Sequence, residues 1–126
     1  MFKLKKIPDV TLEVPIDVPG DHGKSSRHTI RVKYRLLSVT EQKEVFEAPD
    51  HQRPTDDALM ARDVLDILDV KDEAGEPMAY SEELLEQMMD IPYVRASLVK
   101  GWLRAQAGAP ESAEKNSARL GGTMRA

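Results

Sequence analysis

No cysteine occurs in this 126-residue chain, which excludes disulfide frameworks, thiolate metal sites and cysteine nucleophiles. Aromatic residues make up only 5%, so any core has to be built from aliphatic side chains. No apolar run approaches the length of a membrane span, and Met1–Lys6 is too short and too charged to read as a secretion signal. The expectation is a non-membrane protein of the cytosol. Only three histidines are present, and His22, His28 and His51 lie in or beside predicted loops without helical ligand spacing. They read as exposed side chains, not as a metal set.

Other chemistries fail on spacing. Gly20-Asp21-His22-Gly23-Lys24-Ser25 ends like a phosphate-binding loop, but the motif needs glycine where Val18 stands, and a helix must follow. A strand pattern follows instead. Around Gly75, a calcium loop would require oxygen ligands at Val70, Ala74 and Ser81, and the first two have no side-chain oxygen. The serines have no histidine base in a recognisable context, and the carboxylates fall mainly on predicted solvent faces. Nothing here supports an enzyme or a cofactor; the pattern is that of a small soluble interaction domain.

What is abundant is charge, at 32% of residues, and it is unevenly placed. Residues 1–39 sum to +4, residues 40–90 to −12 and residues 91–126 to +4. The acidic middle argues against nucleic acid, whose binding depends on neutralising phosphates. Opposed regions in one chain also suggest self-association through charge.

In chain order, Val10, Leu12, Val14, Ile16 and Val18 alternate with polar residues or proline, the period of a strand with one buried face. Pro15 cannot donate a ladder hydrogen bond, which assigns an edge strand. After Pro19-Gly20, Ile30, Val32, Tyr34 and Leu36 alternate with Thr29, Arg31, Lys33 and Arg35, and Arg27 shares that second face. The two runs predict an antiparallel hairpin with a basic wet face. A solvated face is favoured there over an acidic protein partner, and either over nucleic acid, because interleaved aromatics are missing.

Ser38 and Glu41 match a capping box opening a short helix that buries Val39 or Val45 with Phe46. Thr55 caps a second helix, expected to bury Ala58, Ala61, Leu65 and Leu68, broadened by Met60 and Val64, with Asp63, Asp66 and Asp69 on its polar side. An acidic turn spans 69–77. Ser81 then caps a helix with Leu84, Leu85, Met88 and Met89 as its apolar face, and Pro92 opens a last helix with a Val94, Leu98, Trp102, Ala105 stripe. The expected architecture is α+β: a hairpin part over 1–37, a helical part with about four helices over 38–108, and a mobile tail over 109–126.

From Asp69 onward these features combine. Asp72, Glu73, Gly75 and Pro77 form a DE-x-G-x-P turn. Tyr80, Ser81, Glu83 and, one place late, Leu85 form a YS-x-E-x-L helix start. Pro92 and Val94 form a P-x-V break, followed by Trp102 and then Lys115-Asn116. In this order and spacing the chain resembles the tail assembly chaperones of long-tailed, siphovirus-type bacteriophages, over about its last two-thirds. It departs from them at Ile67-Leu68, where members often carry tryptophan, and in a longer stretch between Gly108 and Lys115.

The resemblance implies a non-enzymatic factor of the host cytoplasm. Such a factor binds the tape-measure protein, recruits tail tube subunits and leaves before the virion is complete. A frameshifted longer form occurs in many relatives. Met88, Met89, Leu98 and Trp102 are the candidate partner-binding residues, since methionine repacks readily and tryptophan anchors strongly. Two rival readings are a persistent phage tail or head–tail joining component, and a small nucleic-acid-binding regulator using Arg27–Arg35.

Overall fold

The computed structural model describes residues 2–4 and 6–108; the tail expected over 109–126, with Lys115-Asn116, lies outside the described residues. Two strands, β1 (Val10–Pro19) and β2 (Ser25–Tyr34), form the hairpin, turning through Gly20–Lys24. A helix α1 (Val39–Phe46) follows, then α2 (Asp56–Asp63), a third strand β3 (Val64–Leu68), α3 (Glu82–Met89) and α4 (Pro92–Gln106). The sheet is antiparallel in the order β1-β2-β3, so the fold is α+β as the patterning predicts. The division at residue 37 is not respected, because the helical part returns β3 to the sheet.

Local chemistry explains most of the boundaries. Ser38 Oγ accepts from the Glu41 N–H at 3.2 Å while Glu41 Oε1 accepts from the Ser38 N–H at 3.1 Å, completing the capping box. Thr55 and Ser81 cap α2 and α3 by accepting from the N–H groups of Ala58 and Leu84. Pro92 stands in the first turn of α4, where its missing N–H costs nothing. Between β3 and α3 the acidic turn is a small hairpin bridged at Lys71 and Pro77. Asp72 Oδ1 accepts from the N–H groups of both Ala74 and Glu76 at 2.9 Å, and Gly75 takes a φ of 84° that suits glycine.

The second helix differs from its expected form. It stops at Asp63, and Val64–Leu68 pairs with β2. Leu59, Met60, Asp63, Val64 and Ile67 are the buried residues, whereas Ala58, Ala61, Leu65 and Leu68 face outward. The cause is a bulge. Tyr34 pairs with Val64 and Lys33 with Asp66, leaving Leu65 as the extra residue. Inward side chains Val64 and Ile67 therefore sit three apart, a spacing that imitates a helix. In α1, Val45 is buried and Val39 exposed, but Phe46, expected to be buried with either, is 45% exposed because it lies over Trp102 from outside the core.

The inner sheet face carries Leu12, Val14, Ile16, Ile30, Val32, Tyr34, Val64 and Ile67. Against it α4 packs across β1, with α2 and α3 buttressing α4 from behind. Gly101 permits this approach. A Cβ there would come within 2.5 Å of Tyr34 Oη and 3.0 Å of Val14 Cγ2. Tyr34 Oη donates to the Leu98 carbonyl at 2.7 Å. Gln106 ties the far end of α4 to the chain after β2, donating to the Arg35 carbonyl at 3.0 Å and accepting from the Leu37 N–H at 2.9 Å.

The outer strands have partly occupied edges. On β3, Asp66 Oδ1 accepts from the Ile67 N–H at 2.9 Å and Tyr80 Oη donates to the Val64 carbonyl at 3.3 Å. On β1, Arg104 Nη2 donates to the Glu13 carbonyl at 3.1 Å, and Pro15 has no N–H to offer.

Candidate interaction site

Where α2 gives way to β3, the backbone directs Asp63 inward. Its side chain is 0% exposed, the one charged residue among the buried ones described. Arg62 brackets it with Nε at 2.8 Å and Nη2 at 3.0 Å, Arg35 Nε donates at 3.1 Å, and Trp102 Nε1 donates at 2.8 Å. Arg35 also donates to Glu41 Oε2 at 3.0 Å. A buried carboxylate is tolerable only when its lone pairs are filled in this way. The sequence pattern predicts Asp63 on a solvent face; the two arginines that pair with it, one on α2 and one after β2, are the available signal to the contrary.

The four candidate partner residues lie inside the domain. Met88, Met89, Leu98 and Trp102 are all buried, the last at 2% exposure. Trp102 closes the domain's own core, with its N–H on Asp63 and its ring 5.7 Å from that of Phe46. Phe46 covers it from outside at 45% exposure, and Leu103, the next residue of α4, is comparably exposed. An apolar surface therefore lies above the tryptophan, presented by Phe46.

A second feature is a groove of about 450 Å³ between α2, α3 and the start of α4. Ala58, Ala61, Leu85 and Met89 supply apolar lining, with Asp57, Glu86, Asp90 and Arg95 as the charged groups. Arg95 Nη1 donates to Asp57 Oδ1 at 2.6 Å, which raises the guanidinium above its ordinary value chiefly through that bond. Of the four candidate residues only Met89 reaches the groove. The alanines that open it were expected to be core.

The outer sheet face is matched in charge instead of basic. Arg27 makes a two-point contact with Asp17 at 2.8 and 3.1 Å, and Arg31 does the same with Asp69 at 2.7 and 3.0 Å. Both carboxyls are held below the ordinary range, first by the arginine hydrogen bond. Neutralised this way, the face has little surplus charge for phosphates. Among the described residues no three His, Cys, Asp or Glu side chains converge as a metal site, and no helix is long and apolar enough to cross a membrane.

Fold and surface together define a small α+β domain with one apolar surface over its tryptophan and one acidic-rimmed groove. No protein-family model, curated protein or solved structure matches the chain.

Proposed function

We propose that this chain is a tail assembly chaperone of a long-tailed bacteriophage, binding the tape-measure protein and helping to recruit tail tube subunits. One observation carries the reading: the ordered motif series from Asp72 to Trp102. Each of its key residues has a definite physical task, which gives the spacing a reason. Asp72 and Gly75 form the turn, Ser81 caps α3, Pro92 opens α4, and Trp102 joins α4 to Asp63. The tape-measure contact is assigned to two exposed apolar side chains, Phe46 over the tryptophan and Leu103 on the next position of α4, as anchors for one face of a long helix. Trp102 acts from beneath by holding the Phe46 ring in place, while Met88, Met89 and Leu98 belong to the domain's own core.

Co-expression with the tape-measure protein of the same phage tests this. Phe46→Ser and Leu103→Ser are expected to abolish co-purification while thermal melts and circular dichroism stay close to those of the parent. Undiminished co-purification with the folded double variant overturns the assignment. Recovery of the chain in purified virions at fixed stoichiometry overturns the chaperone reading in favour of a persistent structural component.

A further inference from the structure

We propose that the segment 2–7 of one copy of this chain seats in the α2–α3–α4 groove of a second copy. The proposal rests on different residues from the tape-measure contact and stands independently of it.

Three large apolar side chains cluster ahead of β1 with little to cover them. Phe2 is 83% exposed, Leu4 90% and Ile7 51%. Single exposed apolar residues are commonplace, but three within six positions form a patch that favours a partner. Lysines interleave with them at positions 3, 5 and 6, and residues 2–7 contain no acidic residue. The segment is thus apolar and strongly basic at once.

The groove has the complementary character. Leu85 and Met89 floor it, and the small side chains of Ala58 and Ala61 leave the volume open. Arg95 is already committed to Asp57 and to the Met89 carbonyl, which leaves Glu86 and Asp90 as exposed acids at the rim. A cavity of about 450 Å³ has room for one or two large apolar side chains. Leucine or phenylalanine in the floor with lysine against Glu86 and Asp90 satisfies both halves of the site.

Within one copy Phe2 and Leu4 stay exposed and line no part of the groove, which favours a second copy as its occupant. Val10 pairs with Tyr34, and Gln106 bonds to the carbonyl of the next residue, Arg35. The segment therefore leaves β1 beside the C-terminal end of α4. Arg95 and the groove lie at the other end of that helix, eleven residues away or roughly 16 Å along its axis. The segment and the groove are different surfaces of the chain, so the contact between copies is head-to-tail and heterologous.

Sedimentation velocity on the full chain over a concentration series at low salt tests the proposal. Concentration-dependent association that weakens with added salt is expected. Two variants split the contact: Phe2→Ser with Leu4→Ser removes the segment's anchors, and Ala61→Glu with Asp90→Lys alters the groove. Each alone is expected to weaken association by roughly tenfold or more. An equimolar mixture of the two is expected to form a 1:1 complex, since each variant keeps one working half. The segment variant touches no buried residue, so its result is independent of folding. A monomeric parent chain, association indifferent to the segment variant, or a mixture that stays monomeric overturns the proposal. Protection of residues 2–7 from hydrogen exchange in a strictly monomeric chain assigns the groove to the chain's own segment and overturns it equally.

Discussion

Trp102 Nε1 donates to Asp63 Oδ2 at 2.8 Å, fastening the last third of α4 to the point where α2 becomes β3. Neither residue can change alone without leaving the other short of a partner. Trp102→Phe keeps an aromatic ring but removes the donor, and is expected to cost about 1–3 kcal/mol. Asp63→Ala is expected to cost about 3 kcal/mol, the lower end for breaking a buried ion pair, because Arg35 and Arg62 both reach solvent. Urea unfolding of the two single variants and the double gives the coupling. Strict additivity would mean that the bond contributes nothing.

The close approach of α4 to the sheet depends on Gly101. Gly101→Ala is expected to destabilise by about 1–3 kcal/mol, since its methyl would meet Tyr34 Oη at 2.5 Å. Tyr34→Phe on its own loses the bond to the Leu98 carbonyl, at a cost of about 1 kcal/mol. Combining the two substitutions should recover part of the alanine penalty, because the hydroxyl in the way has gone. Full additivity in thermal or urea unfolding would refute the steric explanation.

The bulge at Leu65 makes an opposite pair of forecasts. Leu65→Thr and Leu68→Thr should each change stability by no more than about 0.5 kcal/mol, as outward-facing strand residues do. Ile67→Ala should lose about 2–5 kcal/mol, as a buried truncation does. A continuous helix through this stretch predicts the reverse order.

Acid should weaken the fold through specific carboxyls. Glu41 is held below its ordinary value by the Ser38 backbone N–H and then by Arg35, while Asp17 and Asp69 are lowered by Arg27 and Arg31. For a depressed folded value the stabilisation is complete above the unfolded value, near pH 4, and disappears as pH falls through the folded one. At the alkaline end burial raises the Tyr34 phenol. That contribution is complete below about pH 10 and is lost as pH climbs through the raised value. Urea midpoints across pH should fall at both ends, with the alkaline loss reduced in Tyr34→Phe and the acid loss reduced in Asp69→Asn.

Strands β1 and β2, the caps at Ser38, Thr55 and Ser81, the proline start of α4 and the Val94–Ala105 stripe were all legible, because each follows from short-range period or hydrogen-bond chemistry. β3 was not. A bulge spaces Val64 and Ile67 as a helix would, and pairing with β2 is a long-range fact that local pattern does not contain. The same limit hid the Asp63 cluster, whose members Arg35, Arg62 and Trp102 come from three separated stretches. Trp102 and the methionines carried a signal of importance, but period alone does not say whether an apolar stripe meets its own domain or another. Opening of the groove by Ala58 and Ala61 followed the corrected register of α2.

The occupied edges of β1 and β3 have a consequence for crowding. Free strand edges are templates on which identical chains exchange strands and grow into fibrils. Here Asp66, Tyr80, Arg104 and Pro15 take up or omit several of the groups such growth would need. Crowded copies of the domain then have fewer open backbone groups through which to exchange strands.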